Sequence, residues 1–226
     1  MINSEFITNE RDVFFKIAER YINKSSRILD IGAGDASFAK TLNRNDIYLL
    51  DGNAETIKIL QEKYENVYHG YLPELPFEDN YFDLIHCSHI VEHLEPQILW
   101  ELLVNIDKKL KNNGFVIISA PLFWSGFFND MSHVKPYNPY IFKKYMTSNK
   151  QSSLTKLQVS DKYMVIEEVA RYTKQKIGSS KLFYHKFKVI QLMISFAVKA
   201  INTLGFRRLE RSGFTLVLQK LEDRVK

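Results

Sequence analysis

The spacing of apolar positions divides the chain into short alternating elements. Residues 9–23 place Val13, Phe14, Ile17, Ala18 and Tyr21 on one helical face, with Asn9 suited to cap it. Five apolar runs then predict strands: RILDIG (27–32), DIYLLDGN (46–53), NVYHG (66–70), YFDLIHCS (81–88) and GFVIISAP (114–121). Between them, 35–43, 54–64 and 95–113 carry helical patterns, the last with Pro96 early and Asn113-Gly114 expected to close it. Strand and helix in alternation argue for a parallel sheet with helices on both faces.

After Pro121 the regularity stops. Residues 122–138, LFWSGFFNDMSHVKPYN, are aromatic-rich, lack a period and are long for a connection, which marks a functional or a disordered loop. Asn138-Pro139 starts a short helix to about Thr147, and 163–173 and 212–221 read as a sixth and a seventh strand. The expected architecture is an α/β fold with a doubly wound, mostly parallel seven-stranded sheet and a helical insertion before the last strand. The whole of 1–226 is taken as one domain, with 122–150 as a cover over the site and 174–211 as a basic-apolar insertion.

Composition changes this picture in one place. A content of 45% hydrophobic and 25% charged residues is that of an ordinary globular protein. The net charge of +5, however, is uneven: residues 174–226 hold twelve Lys/Arg against three acids, +9, which leaves −4 for the rest. Lysines interleaved with aliphatic and aromatic residues suit a helix lying on an anionic membrane, or a packed helix whose lysines are solvated. The segment is more apolar than a phosphate-binding stripe, so nucleic acid is disfavoured. The apolar run 189–204 is interrupted by Lys199 and falls short of the ~20 residues that span a bilayer. The N-terminus shows no secretory pattern and Cys87 has no disulfide partner, so a reducing cytoplasm is expected, with membrane association through 174–211 as an addition.

The candidate chemistry starts at the first strand. Gly32 and Gly34 permit a tight turn at the carboxyl edge of the sheet, where α/β folds bind ligands. Asp51 ends the second strand, placed to accept hydrogen bonds from ribose hydroxyls. That arrangement serves both dinucleotide and S-adenosylmethionine (SAM) sites. The dinucleotide fingerprint, however, requires a third glycine where Ser37 stands. Asp30 adds an acid at a strand end where dinucleotide folds are usually apolar, and it suits a ligand carrying an ammonium and a sulfonium.

The blocks ILDIGAGDASFAKTL, LLDGN, GYLPELPFEDNYFDLIHCSHIVEHL and LKNNGFVIISAP together resemble a class I SAM-dependent methyltransferase over roughly residues 26–121. The LPF…D..FD…EHL run is similar to the branch that includes quinone-biosynthesis and glycan-modifying enzymes. The resemblance implies that Asp30, Gly32, Ala33 and Gly34 line the methionine end of SAM. It implies Asp51 at the ribose with Gly52 and Asn53 beside it, Tyr71 and Leu72 at the adenine, and Cys87 and Ser88 closing the pocket. Tyr71 departs from the acid usual at its position, so stacking and backbone contacts would hold the adenine.

For an acceptor that must lose a proton, His133 in the aromatic loop is the first candidate base, followed by His89 and His93, which flank Glu92. His133, His93 and Glu92 have structural alternatives: a loop-anchoring bond for His133, helix initiation for His93, a packing or cap role for Glu92. Asp130 and His133 alone are too few ligands to imply a metal. The expected reaction is O-methylation of a glycan, lipid-linked sugar or similar metabolite. A quinone-precursor C- or O-methyltransferase, a non-catalytic SAM-fold module and, more distantly, a NAD-dependent oxidoreductase are the alternatives.

Overall fold

The computed structural model describes residues 3–148, 157–178 and 185–222. Parts of the expected cover (149–150) and of the basic insertion (179–184) lie outside the described residues.

Seven strands form one sheet: β1 (Ile28–Ile31), β2 (Tyr48–Asp51), β3 (Val67–His69), β4 (Phe82–Ser88), β5 (Leu110–Pro121), β6 (Tyr163–Gln175) and β7 (Arg208–Lys220). Their spatial order is β3-β2-β1-β4-β5-β7-β6. β1 to β5 pair in parallel, and β7 runs antiparallel to both β5 and β6. The expectation of a mostly parallel sheet of seven strands therefore holds. The order reverses at β1 and β4, so a crevice opens at the carboxyl ends of these strands.

Alternation along the strands decides which helices cover which face. Leu29, Ile31, Ile85, Cys87, Val116, Ile118, Leu216 and Leu218 face α4 (Pro96–Lys109) and α5 (Pro139–Met146), whose Leu99, Leu102, Ile106 and Phe142 join the same core. Ile28, Leu49, Leu84, Ile117 and Val217 face the other way. There they meet Phe14 and Phe15 of α1 (Asp12–Phe15), Phe38 and Ala39 of α2 (Ser37–Thr41) and Leu60 of α3 (Ala54–Gln61). Burial of each such Leu, Ile or Phe side chain is worth about 1.5–3 kcal/mol, enough for this two-faced core to outweigh weak local preferences.

Those preferences mislead at two boundaries. The amphipathic stretch 9–23 forms only α1 and a following turn of 3-10 helix, Lys16–Arg20, because docking Phe14, Phe15, Ile17 and Ala18 on the sheet sets its length. α4 ends at Lys109 rather than at Asn113, since Leu110 already pairs with Phe82 of β4, and Asn113 takes φ +64° within the strand. Elsewhere the caps act as read: Asn53 accepts from the Glu55 and Thr56 amides, and Asn138 from that of Ile141.

α6 (Lys188–Thr203) differs from every other long helix in burying no residue. Val189, Leu192, Met193 and Phe196 stand exposed in one stripe, with Lys188 and Lys199 at its flank. Asn202 ties it to the residue just beyond β6, bonding both the amide and the carbonyl of Ile177. No helix among the described residues is long and apolar enough to cross a membrane.

Candidate active site

The glycine turn after β1 is tied to β2 by its own backbone. Gly32 and Ala33 donate their amides to the Leu50 carbonyl at 2.8 and 3.1 Å. Gly32 takes φ +71° and Gly34 φ +52°, both left-handed conformations that glycine adopts without strain. Gly32 also permits a close approach, since a Cβ there would stand 2.0 Å from Ile90 Cδ1.

Asp51 closes the turn from the other side. One carboxylate oxygen accepts the Gly34 amide at 2.9 Å and the other accepts the Asn53 amide at 2.8 Å. Each oxygen keeps acceptor capacity, and the residue is only half-buried, so a diol can still be received there. His69 Nε2 lies 3.1 Å from the Gly52 carbonyl oxygen, and its ring meets Tyr71 edge-on at 5.2 Å.

Around these groups a cleft of about 340 Å³ opens. Ile31, Gly32, Leu50, Asp51 and Gly52 form one wall, and Gly70, Tyr71, Leu72, Ile90, His93 and Leu94 the other. Of the residues singled out in the sequence, Gly32, Asp51, Gly52, Tyr71, Leu72 and His93 line it. Gly34 and Asn53 act one step back, through their amides on Asp51.

Asp30, Ala33, Cys87 and Ser88 are not among the lining residues. Asp30 faces the α1–α2 side, where His86 Nδ1 meets it at 2.7 Å and the imidazole stacks on Phe38 at 3.8 Å. The two carboxylates at neighbouring strand ends thus have opposite surroundings: Asp30 is closed in the core and Asp51 opens on the cleft. Cys87 is buried in the α4-side core, where burial pushes its thiol pKa well up. Ser88 is half-buried at the end of β4.

The three histidines separate as clearly. His89 adopts φ +57°, and its Nε2 stands 3.0 Å from Arg171 Nη1. Arginine only donates, so Nε2 accepts, and the ring proton sits on Nδ1, 3.1 Å from Glu92 Oε1. Burial pushes the His89 pKa below its ordinary value, and neither nitrogen is left for an acceptor. In this structure His89 is thus tied to Arg171 and Glu92, unlike the open ring nitrogen expected of a base.

His93 and His133 face one another, ring centroids 5.0 Å apart. Each has Nδ1 against a backbone carbonyl oxygen: Ser132 at 3.0 Å for His93, Phe127 at 2.6 Å for His133. Their Nε2 atoms are thereby the acceptors. The loop carrying His133 is fastened to Glu92, whose carbonyl takes the Val134 and Lys135 amides at 2.8 and 3.1 Å. Its aromatics divide between two roles. Phe127 and Tyr137 are buried, the latter donating to the Leu94 carbonyl, whereas Phe123, Phe128 and Tyr140 are exposed.

Arg171 escaped the sequence reading, as did Ile90 and Leu94. Its one signal is an arginine at an inward position of an alternating strand, where it lies buried against the Phe14 ring.

The sheet order, with the glycine turn after β1, is that of the class I methyltransferase fold. Residues 29–118 match the family model described as a methyltransferase domain. Residues 29–118 thus form a methyltransferase domain on that fold, one for which SAM is the cofactor. A protein of Schizosaccharomyces pombe described as an uncharacterized methyltransferase is 28% identical over 114 residues, which cover 43% of this chain and 40% of that one. An uncharacterized protein of Methanocaldococcus jannaschii is 33% identical over 115 residues, 50% of this chain and 48% of that one. The match thus spans less than half the length of either curated relative. Among solved structures, a SAM-dependent methyltransferase from Archaeoglobus fulgidus superposes with a TM-score of 0.61 at 21% identity, over 96% of this chain and 97% of that one. A [4+2]-cyclase, SpnF, superposes with a TM-score of 0.58 at 14% identity, over 94% and 82%. At such identities the likeness concerns the fold, and the cyclase illustrates that one fold hosts different reactions.

The cleft fits SAM on its own geometry. Asp51 offers the diol acceptor, Tyr71 and Leu72 an apolar flank for a purine, and the glycine turn an approachable backbone.

Proposed function

We propose that this protein methylates an oxygen of a glycan, lipid-linked sugar or similar small metabolite, working against an anionic lipid surface. The observation that carries this reading is the adjacency of the Asp51 cleft to the Nε2 atoms of His93 and His133, through His93, which belongs to both. Bound SAM supplies an electrophilic methyl group on a sulfonium. Asp51 holds the ribose, the Gly32–Gly34 turn brings the backbone close to the methionine end, and Tyr71 and Leu72 flank the adenine. The loop from Phe123 to Tyr137 meets the crevice at His93, through the His133 ring, and its closing over the acceptor would limit water and favour alignment. His133 and His93 receive the acceptor hydroxyl at Nε2.

The lipid component rests on α6 and its surroundings. An unburied apolar stripe with Lys188 and Lys199 beside it, in a segment of high positive charge, has the composition of a helix lying at headgroup depth. An acceptor carried on a lipid would be delivered to the same surface.

Two measurements test the reading. Calorimetric titration with SAM, S-adenosylhomocysteine and NAD is expected to show binding of the two sulfur ligands only, and NAD binding alone would overturn the proposal. Co-sedimentation with vesicles is expected to be stronger on phosphatidylglycerol than on phosphatidylcholine. Equal failure on both would remove the membrane component.

A further inference from the structure

We propose that Glu92, His93 and His133 form a binding site for a divalent transition-metal cation at the rim of the cleft. The three residues present one ligand atom each, all within 4.8 Å of one another. Both rings are already set as metal-bound imidazoles are set, with Nδ1–H held by a backbone carbonyl and the Nε2 lone pair left forward. The third ligand supplies the driving force. Glu92 is fully buried, and neither of its carboxylate oxygens has an aligned hydrogen-bond partner among the described residues. The Arg171 charge reaches this carboxylate only through space, and a cation bound directly would meet the oxygens that no aligned hydrogen bond satisfies.

His89 Nδ1, 3.1 Å from Oε1 and itself bonded to Arg171, braces Glu92 from behind, as second-layer groups brace metal-binding carboxylates. Ligands about 2.1 Å from a cation stand about 3.0–3.4 Å apart, so closing the cluster needs shifts of about an ångström. Two imidazoles and one carboxylate suit Zn²⁺, Mn²⁺ or Fe²⁺ better than Mg²⁺ or Ca²⁺, which favour oxygen-only sets. Three protein ligands leave at least one position open. Because His93 also lines the cleft, that position borders the place of the reaction. Asp130 Oδ2, half-exposed and 3.9 Å from His133 Nε2, stands beside it as an acceptor for a ligand's proton.

The class of ligand that fits the open position is an acceptor oxygen, a hydroxyl or one of a vicinal pair. That assignment rests on the methyl-transfer reading, whereas cation binding does not. With a cation in place, the two Nε2 atoms hold the metal and the acceptor oxygen binds the metal instead of the rings.

The test is calorimetric titration of the chelator-stripped full chain with Zn²⁺ and with Mn²⁺, alongside titration with SAM. One equivalent of cation is expected to bind. Affinity should fall about 10- to 100-fold in Glu92→Gln and in His133→Ala, with thermal melting confirming that both variants fold. Failure of the wild type to bind either cation would overturn the proposal, as would equal cation affinity in wild type and both variants. Cation binding without SAM binding would instead defeat the methyl-transfer reading and leave the metal site standing.

Discussion

Residues 28–121 and the segment around α6 treat their apolar side chains in opposite ways. In the first, every strand from β1 to β5 is covered by helices or neighbouring strands, and Phe82 is wholly buried with the rings of Tyr48, Phe77 and Tyr81 about it at 5.3, 5.0 and 5.1 Å. In the second, α6 leaves Phe196 three-quarters exposed and Leu192 nearly so. A continuous apolar helix face and a buried strand read alike as hydrophobic sequence, yet only one of them contributes to the stability of the fold. The difference lies in what the topology places opposite them.

The sharpest way to break that comparison is to truncate one residue from each region. Phe82→Ala should cost about 3–5 kcal/mol of unfolding free energy, by lost transfer energy together with the cavity left among three rings. Urea denaturation measures it, and a loss under 1 kcal/mol would mean that this core is not packed as described.

Within the well-buried region, Asp51 is the exception that faces outward. Asp51→Ala removes both the diol acceptor and the anchor of the Gly34 and Asn53 amides, and SAM affinity should fall about 100-fold or more, which is about 2.7 kcal/mol. Asp30→Asn, a change on the opposite face, should leave SAM affinity within a few fold while lowering the melting temperature. Equal loss of SAM binding in the two variants would erase the distinction drawn between these carboxylates.

Much of this was legible in the sequence, and the exceptions share a cause. The strand runs, the glycine turn and Asp51 are written in contiguous residues, so period and spacing reveal them. The fates of Asp30 and His89 are not. Asp30 finds His86 56 residues away across the β1–β4 pairing, and His89 meets Arg171 at a separation of 82. Both contacts depend on register, which no local pattern states. The end of α4 departs from its local signal for a similar reason: Asn113-Gly114 is a sound helix stop, but pairing of Leu110 with Phe82 takes effect first.

The His89–Arg171 contact yields a smaller, pH-dependent effect. Burial lowers the His89 pKa in the folded chain, with the Arg171 charge acting in the same direction and Glu92 against it. The neutral ring is therefore favoured by folding. Its stabilisation is fully present above the unfolded value of about 6.5 and is lost as pH falls from there through the lowered folded value. Urea midpoints measured from pH 7.5 down to 5 should fall less steeply in His89→Gln than in wild type. Parallel pH profiles would show that this ring does not titrate as inferred.

The smallest effect on stability should come from α6, and it sharpens the comparison most. Phe196→Ser removes a large aromatic from a surface that is solvent-exposed in the isolated protein, so the unfolding free energy should change by less than about 0.5 kcal/mol. If the stripe meets lipid, the same change should weaken binding to phosphatidylglycerol vesicles several-fold, because the ring's apolar area is then buried only in the bound state. Lys188→Glu with Lys199→Glu should weaken vesicle binding at low salt more than at high salt, since charge near a membrane is screened over about a Debye length. A Phe196→Ser variant that melts several degrees lower and binds vesicles as wild type does would assign the helix to a protein interface. The stripe would then belong with the buried strands, completed by a second chain.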